Sequence, residues 1–116
     1  MIQVTKRAQQ ELEAFFEKNR DLSRSVRIYV QNGIWDSPSL ELTVDDPTSG
    51  DTVIAQGEVS YIVDNGLMNR AGDITIDFMN TAWEFGFSIT PSKPLFRYVS
   101  EEDSSPYLET SPWDKN

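Results

Sequence analysis

Val26-Arg27-Ile28-Tyr29-Val30-Gln31-Asn32-Gly33 is where the period of this chain changes, and that change decides the fold. Val26, Ile28 and Val30 alternate with Arg27, Tyr29 and Gln31, so one side of an extended segment is apolar and the other meets water. Asn32-Gly33 then supplies turn chemistry. The same alternation returns downstream in Leu40, Leu42 and Val44, in Ile74, Ile76 and Phe78, and in Phe85, Phe87 and Ile89. Thr52–Ala55 and Val59–Val63 are two shorter candidates. Asp46-Pro47-Thr48-Ser49-Gly50, Gln56-Gly57 and Ala71-Gly72 punctuate these runs as turns, and residues 65–70 suit one helical turn. Strands with one apolar face are the mark of antiparallel sheets packed on one side.

Upstream the period is helical. Thr5 is placed to cap a helix over 6–18, with Ala8, Leu12 and Phe15 at i, i+4 and i+7 as its inward stripe. Phe16 falls slightly off that stripe, toward solvent, and Val4 can fold back onto the stripe as a staple. The expected fold is mainly β with an N-terminal α-helix. One helix is followed by about six short, mostly antiparallel strands in a β-sandwich or flattened barrel. Residues 1–94 read as the domain. Residues 95–116, broken by Pro106 and Pro112 and carrying Glu101-Glu102-Asp103, read as an extended acidic tail. The aromatic residues of that tail, Phe96, Tyr98, Tyr107 and Trp113, suit docking on its own domain or on a neighbouring subunit.

The 116 residues contain no cysteine and no histidine. Thiolate and imidazole are therefore both missing, and with them the usual ligands of zinc, copper, haem and iron–sulfur clusters. The cysteine nucleophile and the commonest general base at neutral pH go as well. A net charge of −9 disfavours nucleic acid and anionic membranes as partners. The charge is uneven: residues 1–27 hold six bases and four acids, whereas residues 28–69 hold seven acids and no base. An acidic surface of this kind steers a basic partner, pairs with the basic helix of another copy, or simply keeps the protein soluble. No stretch is long and apolar enough for a signal peptide or a membrane span, so a cytoplasmic protein is expected.

Three sets of residues invite a chemical reading. The loop Gly33, Ile34, Trp35, Asp36, Ser37, closed by Pro38, sets a large aromatic between turn residues. Trp35 either offers its area to a partner or packs into the fold. Asp45, Asp46 and Asp51 offer oxygen ligands to a hard cation, as do Glu101, Glu102 and Asp103. Their spacing is not that of an EF-hand, however, and a solvated turn accounts for the first set. Asp77 lies between Ile76 and Phe78 but points to the opposite face, as a half-exposed strand residue making a hydrogen bond. There is no nucleophile elbow, phosphate loop or dinucleotide fingerprint, so no catalytic residue is expected.

The order of elements and the residues at their joints resemble the HesB/IscA-like family of A-type iron–sulfur carriers. The matching segments are Ile2-Gln3-Val4-Thr5 with Ala8 and Leu12, Val26–Val30, Leu40–Pro47, Gly57, Ile62-Val63-Asp64, Ile74–Phe78 and Glu84–Ile89. The resemblance implies the family's fold over about residues 2–91, and a dimer or higher homo-oligomer. In that family a loop after the first core strand supplies one cysteine and a C-terminal Cys-x-Cys supplies two more. Here Trp35 or its neighbour stands where the first would be, and no such pair occurs after Pro91. No cluster-binding residue carries over, and the resemblance points to a degenerate, cysteine-free member. The expected function is non-catalytic, with no cofactor and no metal, exerted through protein–protein contact by self-association or with iron–sulfur assembly proteins. The alternative is an iron–sulfur or iron-handling protein whose ligands are carboxylates or come from a partner.

Overall fold

The computed structural model describes residues 1–32 and 38–95. Its elements run β1 (Ile2–Val4), α1 (Lys6–Lys18), β2 (Ser25–Asn32), β3 (Pro38–Val44), β4 (Asp51–Gln56), β5 (Val59–Asp64), α2 (Asn65–Ala71), β6 (Ile74–Asn80) and β7 (Phe85–Pro91). They form a three-stranded sheet ordered β1-β6-β7 and a four-stranded sheet ordered β3-β2-β5-β4. β3 of one sheet and β7 of the other are end strands, and they run side by side. α1 lies against β6 of the first sheet and β5 of the second. The fold is thus mainly β behind an N-terminal helix, as the sequence indicates. Each sheet keeps two end strands, so the sandwich form holds and the flattened barrel does not.

Three pairings are antiparallel: β2 with β3, β4 with β5, and β6 with β7. Two are parallel, β1 with β6 and β2 with β5. β1 is the element periodicity does not reveal, because three residues are too few to show alternation. It is held from outside: Ile2, Gln3 and Val4 pair with Ile74, Thr75 and Ile76, and Thr5 N donates to Ile76 O at 2.9 Å. This pairing delivers the chain directly to the cap of α1.

The helix begins where a side-chain acceptor is available. Thr5 Oγ1 accepts from Ala8 N, and at the far end Asn19 donates its side-chain nitrogen to Phe15 O. Its buried residues are Ala8, Leu12 and Phe16, not Phe15. The inward row is therefore the i, i+4, i+8 ridge, and the expectation for the two phenylalanines is reversed. Phe16 has no exposed area and Phe15 keeps 42%. Both positions lie within one apolar arc on a helical projection. The sheet beneath decides between them, because ridges along i±4 rows seat well in a packed interface.

Leu12 and Phe16 join Val26, Ile28, Leu40, Tyr61, Val63, Ile74, Ile76 and Phe78 in one core drawn from both sheets. β5 is covered on both faces, since Tyr61, Ile62 and Val63 are all fully buried. Asp64 caps α2 by accepting from Leu67 N, so the helical turn foreseen at 65–70 is present. Leu95 packs partly against the core, at the end of the described chain.

Candidate functional site: an uncovered apolar face

The loop Gly33–Ser37 joins paired ends of β2 and β3, where Asn32 sits opposite Pro38. Its five residues lie outside the described residues, as do Glu101, Glu102, Asp103 and the rest of 96–116. The other predicted groups can be placed.

Asp45 and Asp51 do not form a solvated turn. Both close on Arg27, which projects from β2 on the face opposite Val26 and Ile28. Arg27 Nη1 and Nη2 donate to the two oxygens of Asp51 at 2.8 and 2.7 Å, and Nε donates to Asp45 Oδ2 at 2.6 Å. Asp51 also accepts from Thr48 N and Thr48 Oγ1, and its side chain is only 2% exposed. The guanidinium, then the Thr48 amide, hold its carboxyl well below the usual carboxylate range. Asp46 accepts from Ser23 Oγ and does not face Arg27 with its carboxylate. The sequence offered Arg27 only as a water-facing strand residue, so this clamp was not foreseen.

Asp77 behaves as expected of a half-exposed strand residue and does more. It takes two bonds of 2.8 Å from Arg7 and one of 2.7 Å from Thr5 Oγ1, which ties the start of α1 to β6. Arg7 and then Thr5 hold its carboxyl well below the ordinary range. Beneath α1, Tyr61 donates its hydroxyl to Gln9 Oε1 at 2.7 Å, and Gln9 donates to Glu13 and to Gln56 O. Burial pushes the Tyr61 phenol up, so it stays a neutral donor. Among the described residues no three carboxylates converge in a way that could hold a metal ion.

What the polar groups lack in availability, a set of apolar ones supplies. Leu12 and Phe15 of α1, Val26 of β2, Leu42 and Val44 of β3, and Phe87 of β7 line a groove of about 250 Å³, with Glu11 and Thr43 at its rim. The groove lies where the β3–β7 seam meets the helix. Phe87 and Phe85 both stand edge-on to Phe78, with ring centroids 5.0 and 5.5 Å apart, so the surface continues along β7. Phe85 is 79% exposed, and Trp83 at the turn before it is 93% exposed. That turn is ordered by Thr81, whose hydroxyl oxygen accepts from both Trp83 N and Glu84 N while Thr81 N donates to Glu84 O. A turn tied this way holds the indole outward. Exposed large aromatics near a strand end are the composition of an interface centre.

Sequence reasoning singled out the loop around Trp35, which lies outside the described residues, and did not single out Trp83. It read Phe85 and Phe87 as one inward face. The two lie on one face of β7, but that strand is the outermost of its sheet and its first half overhangs the core. The signal available was Thr81-Ala82-Trp83-Glu84, a tryptophan in a four-residue connection with no room to fold inward.

No family model and no curated protein sequence matches the chain. Solved structures do. IscA with a [2Fe-2S] cluster superposes with a TM-score of 0.68 at 16% identity, over 86% of this chain and all of that one. SufA of Escherichia coli, involved in biosynthesis of iron–sulfur clusters, gives 0.68 at 17% identity over 87% of this chain and 89% of its own. A protein of Aquifex aeolicus gives 0.59 at 24% identity over 76% and 88%. Identities this low speak for architecture, and they agree with the element order described above. The chain has the HesB/IscA-like fold, built from a sequence without a single cysteine.

Proposed function

We propose that this chain is a non-catalytic scaffold of the HesB/IscA-like fold that acts through protein–protein contact, by self-association or with iron–sulfur assembly proteins in the cytoplasm. The observation that carries this reading is the apolar groove lined by Phe15, Val44 and Phe87, together with the exposed Phe85 and Trp83 at the start of β7 and the turn before it. Burying such a face returns about 25 cal/mol for each Å² removed from water, and the hydrogen-bonded strand and turn leave little backbone entropy to lose.

An iron–sulfur cluster does not fit the donors present. Such clusters are held by thiolates, with imidazole the usual substitute, and this chain has neither. Among the described residues the acids singled out are no better placed: Asp45 and Asp51 are committed to Arg27, and Asp77 to Arg7. The alternative reading is an iron–sulfur or iron-handling protein whose ligands are carboxylates or come from a partner, and ligands from a partner would also require a contact surface.

The test is a double variant, Trp83→Ser with Phe85→Ser, compared with the wild type by sedimentation velocity and by crosslinking to purified iron–sulfur assembly proteins. The reading expects assembly to fall while the thermal midpoint is unchanged. Assembly that is indifferent to both substitutions would overturn it.

A further inference from the structure

The apolar groove has a candidate occupant within its own chain. Leu95, packed on the core, is followed by 21 residues that include Tyr107, Leu108 and Trp113. We propose that the Tyr107–Trp113 segment docks in cis into the groove between α1, β3 and β7, covering Phe15, Val44 and Phe87 until a protein partner displaces it. This rests on the contact reading of that face and adds its regulation.

Three observations support the assignment. The first is reach. The twelve residues from Leu95 to Tyr107 can span up to ~40 Å, against about 23 Å for the whole of β7, so every part of the groove is accessible. A flexible tether of this size presents its end at roughly millimolar local concentration, and a modest intrinsic affinity is then enough. The second is composition. Tyr107-Leu108 and Trp113 are amphipathic or apolar, and they match a groove lined by Leu12, Phe15, Leu42, Val44 and Phe87.

The third is charge. Residues 101–116 carry five acids and one base. Arg7, Arg20, Arg24 and Arg27 are already paired with acids of the fold, so the attraction falls to Lys18 at the end of α1. The groove is the apolar surface that α1 borders. Lys18 stands one turn beyond Phe15 on that helix, and Glu11 lines the opposite end, which sets the acidic part of the segment toward Lys18.

The absence of cysteine makes the test direct, since Asp114→Cys creates one attachment point for a nitroxide in the full-length chain. Paramagnetic loss of amide signal is read on isotope-labelled, spin-labelled protein diluted with unlabelled protein of natural isotope abundance. The proposal expects loss at Phe15, Thr43, Val44 and Phe87, none at Thr52 or Ile54 on β4, and recovery of the signals when Phe15→Ser is added. Loss that appears only when spin-labelled and isotope-labelled chains are mixed would assign the groove to a second copy and overturn docking in cis. So would loss that survives Phe15→Ser, or no loss at all. In each of these cases the contact reading stands or falls separately, on the Trp83 and Phe85 variant.

Discussion

Two corners of this molecule invert their sequence signals. At the Arg27 corner, acids that read as a solvated turn close on a guanidinium, and the Asp51 side chain is buried there. At the α1–β3–β7 corner, phenylalanines that resemble core are left exposed by the described part of the fold, as is Trp83 before β7. The comparison teaches where to look for function in a chain without reactive side chains. Charged groups that satisfy one another inside the fold have no capacity left for a ligand. Apolar groups that the fold fails to cover keep theirs.

The sharpest way to break the comparison is within one helix turn. Phe16→Ala removes a fully buried ring and is expected to cost about 3–5 kcal/mol in urea unfolding. Phe15→Ala, one residue away, should stay within about 1 kcal/mol. Equal losses would mean that α1 seats both rings and that the groove is part of the core.

A smaller effect is expected at Gly57, which turns the chain from β4 into β5 with φ +59°. A Cβ there would fall 2.6 Å from Gln9 Nε2 and from Glu13 Oε2, the groups that bridge α1 to this turn. Gly57→Ala should cost about 1–2 kcal/mol from the left-handed backbone, with the ends of the Gln9 and Glu13 side chains moving aside. A neutral result would show that the turn does not hold Gly57 in the left-handed region.

Acid sharpens the charged half of the comparison. Asp51 and Asp77 have folded-state pKa values depressed below the ~3.9 of an unfolded aspartate. Their contribution is fully present above that unfolded value and is lost as pH falls through the folded values. Stability should therefore drop progressively below about pH 4. In Asp51→Asn, stability at neutral pH is lower and the acid-side slope shallower. An unchanged slope would mean that Arg27 does not stabilise the ionised form of Asp51. The smallest change in stability belongs to the exposed face. Trp83→Ser should shift unfolding by no more than about 0.5 kcal/mol while assembly weakens.

Much of this fold is legible along the chain because its signals are local. Thr5 caps α1 where a hydroxyl precedes a helical period, and four of the strands show their alternation outright. What escaped depends on partners far away in sequence. β1 is too short to announce itself and exists through Ile74–Ile76. The parallel pairing of β2 with β5 brings together residues about 35 positions apart. Arg27 finds Asp51 across three strands, and whether Phe15 or Phe16 turns inward is settled by β5 and β6 below the helix. The site was harder still, because an interface is defined by what the rest of the chain fails to cover. The short connection holding Trp83 was a readable signal, but the alternation of Phe85, Phe87 and Ile89 beside it drew attention to the core instead.

Native mass spectrometry of the purified protein, before and after anaerobic incubation with iron and sulfide, tests the central claim most directly. The account predicts an unchanged, colourless species whose subunit count depends on Trp83 and Phe85. A mass gain equal to a cluster, with visible absorption to match, would contradict it.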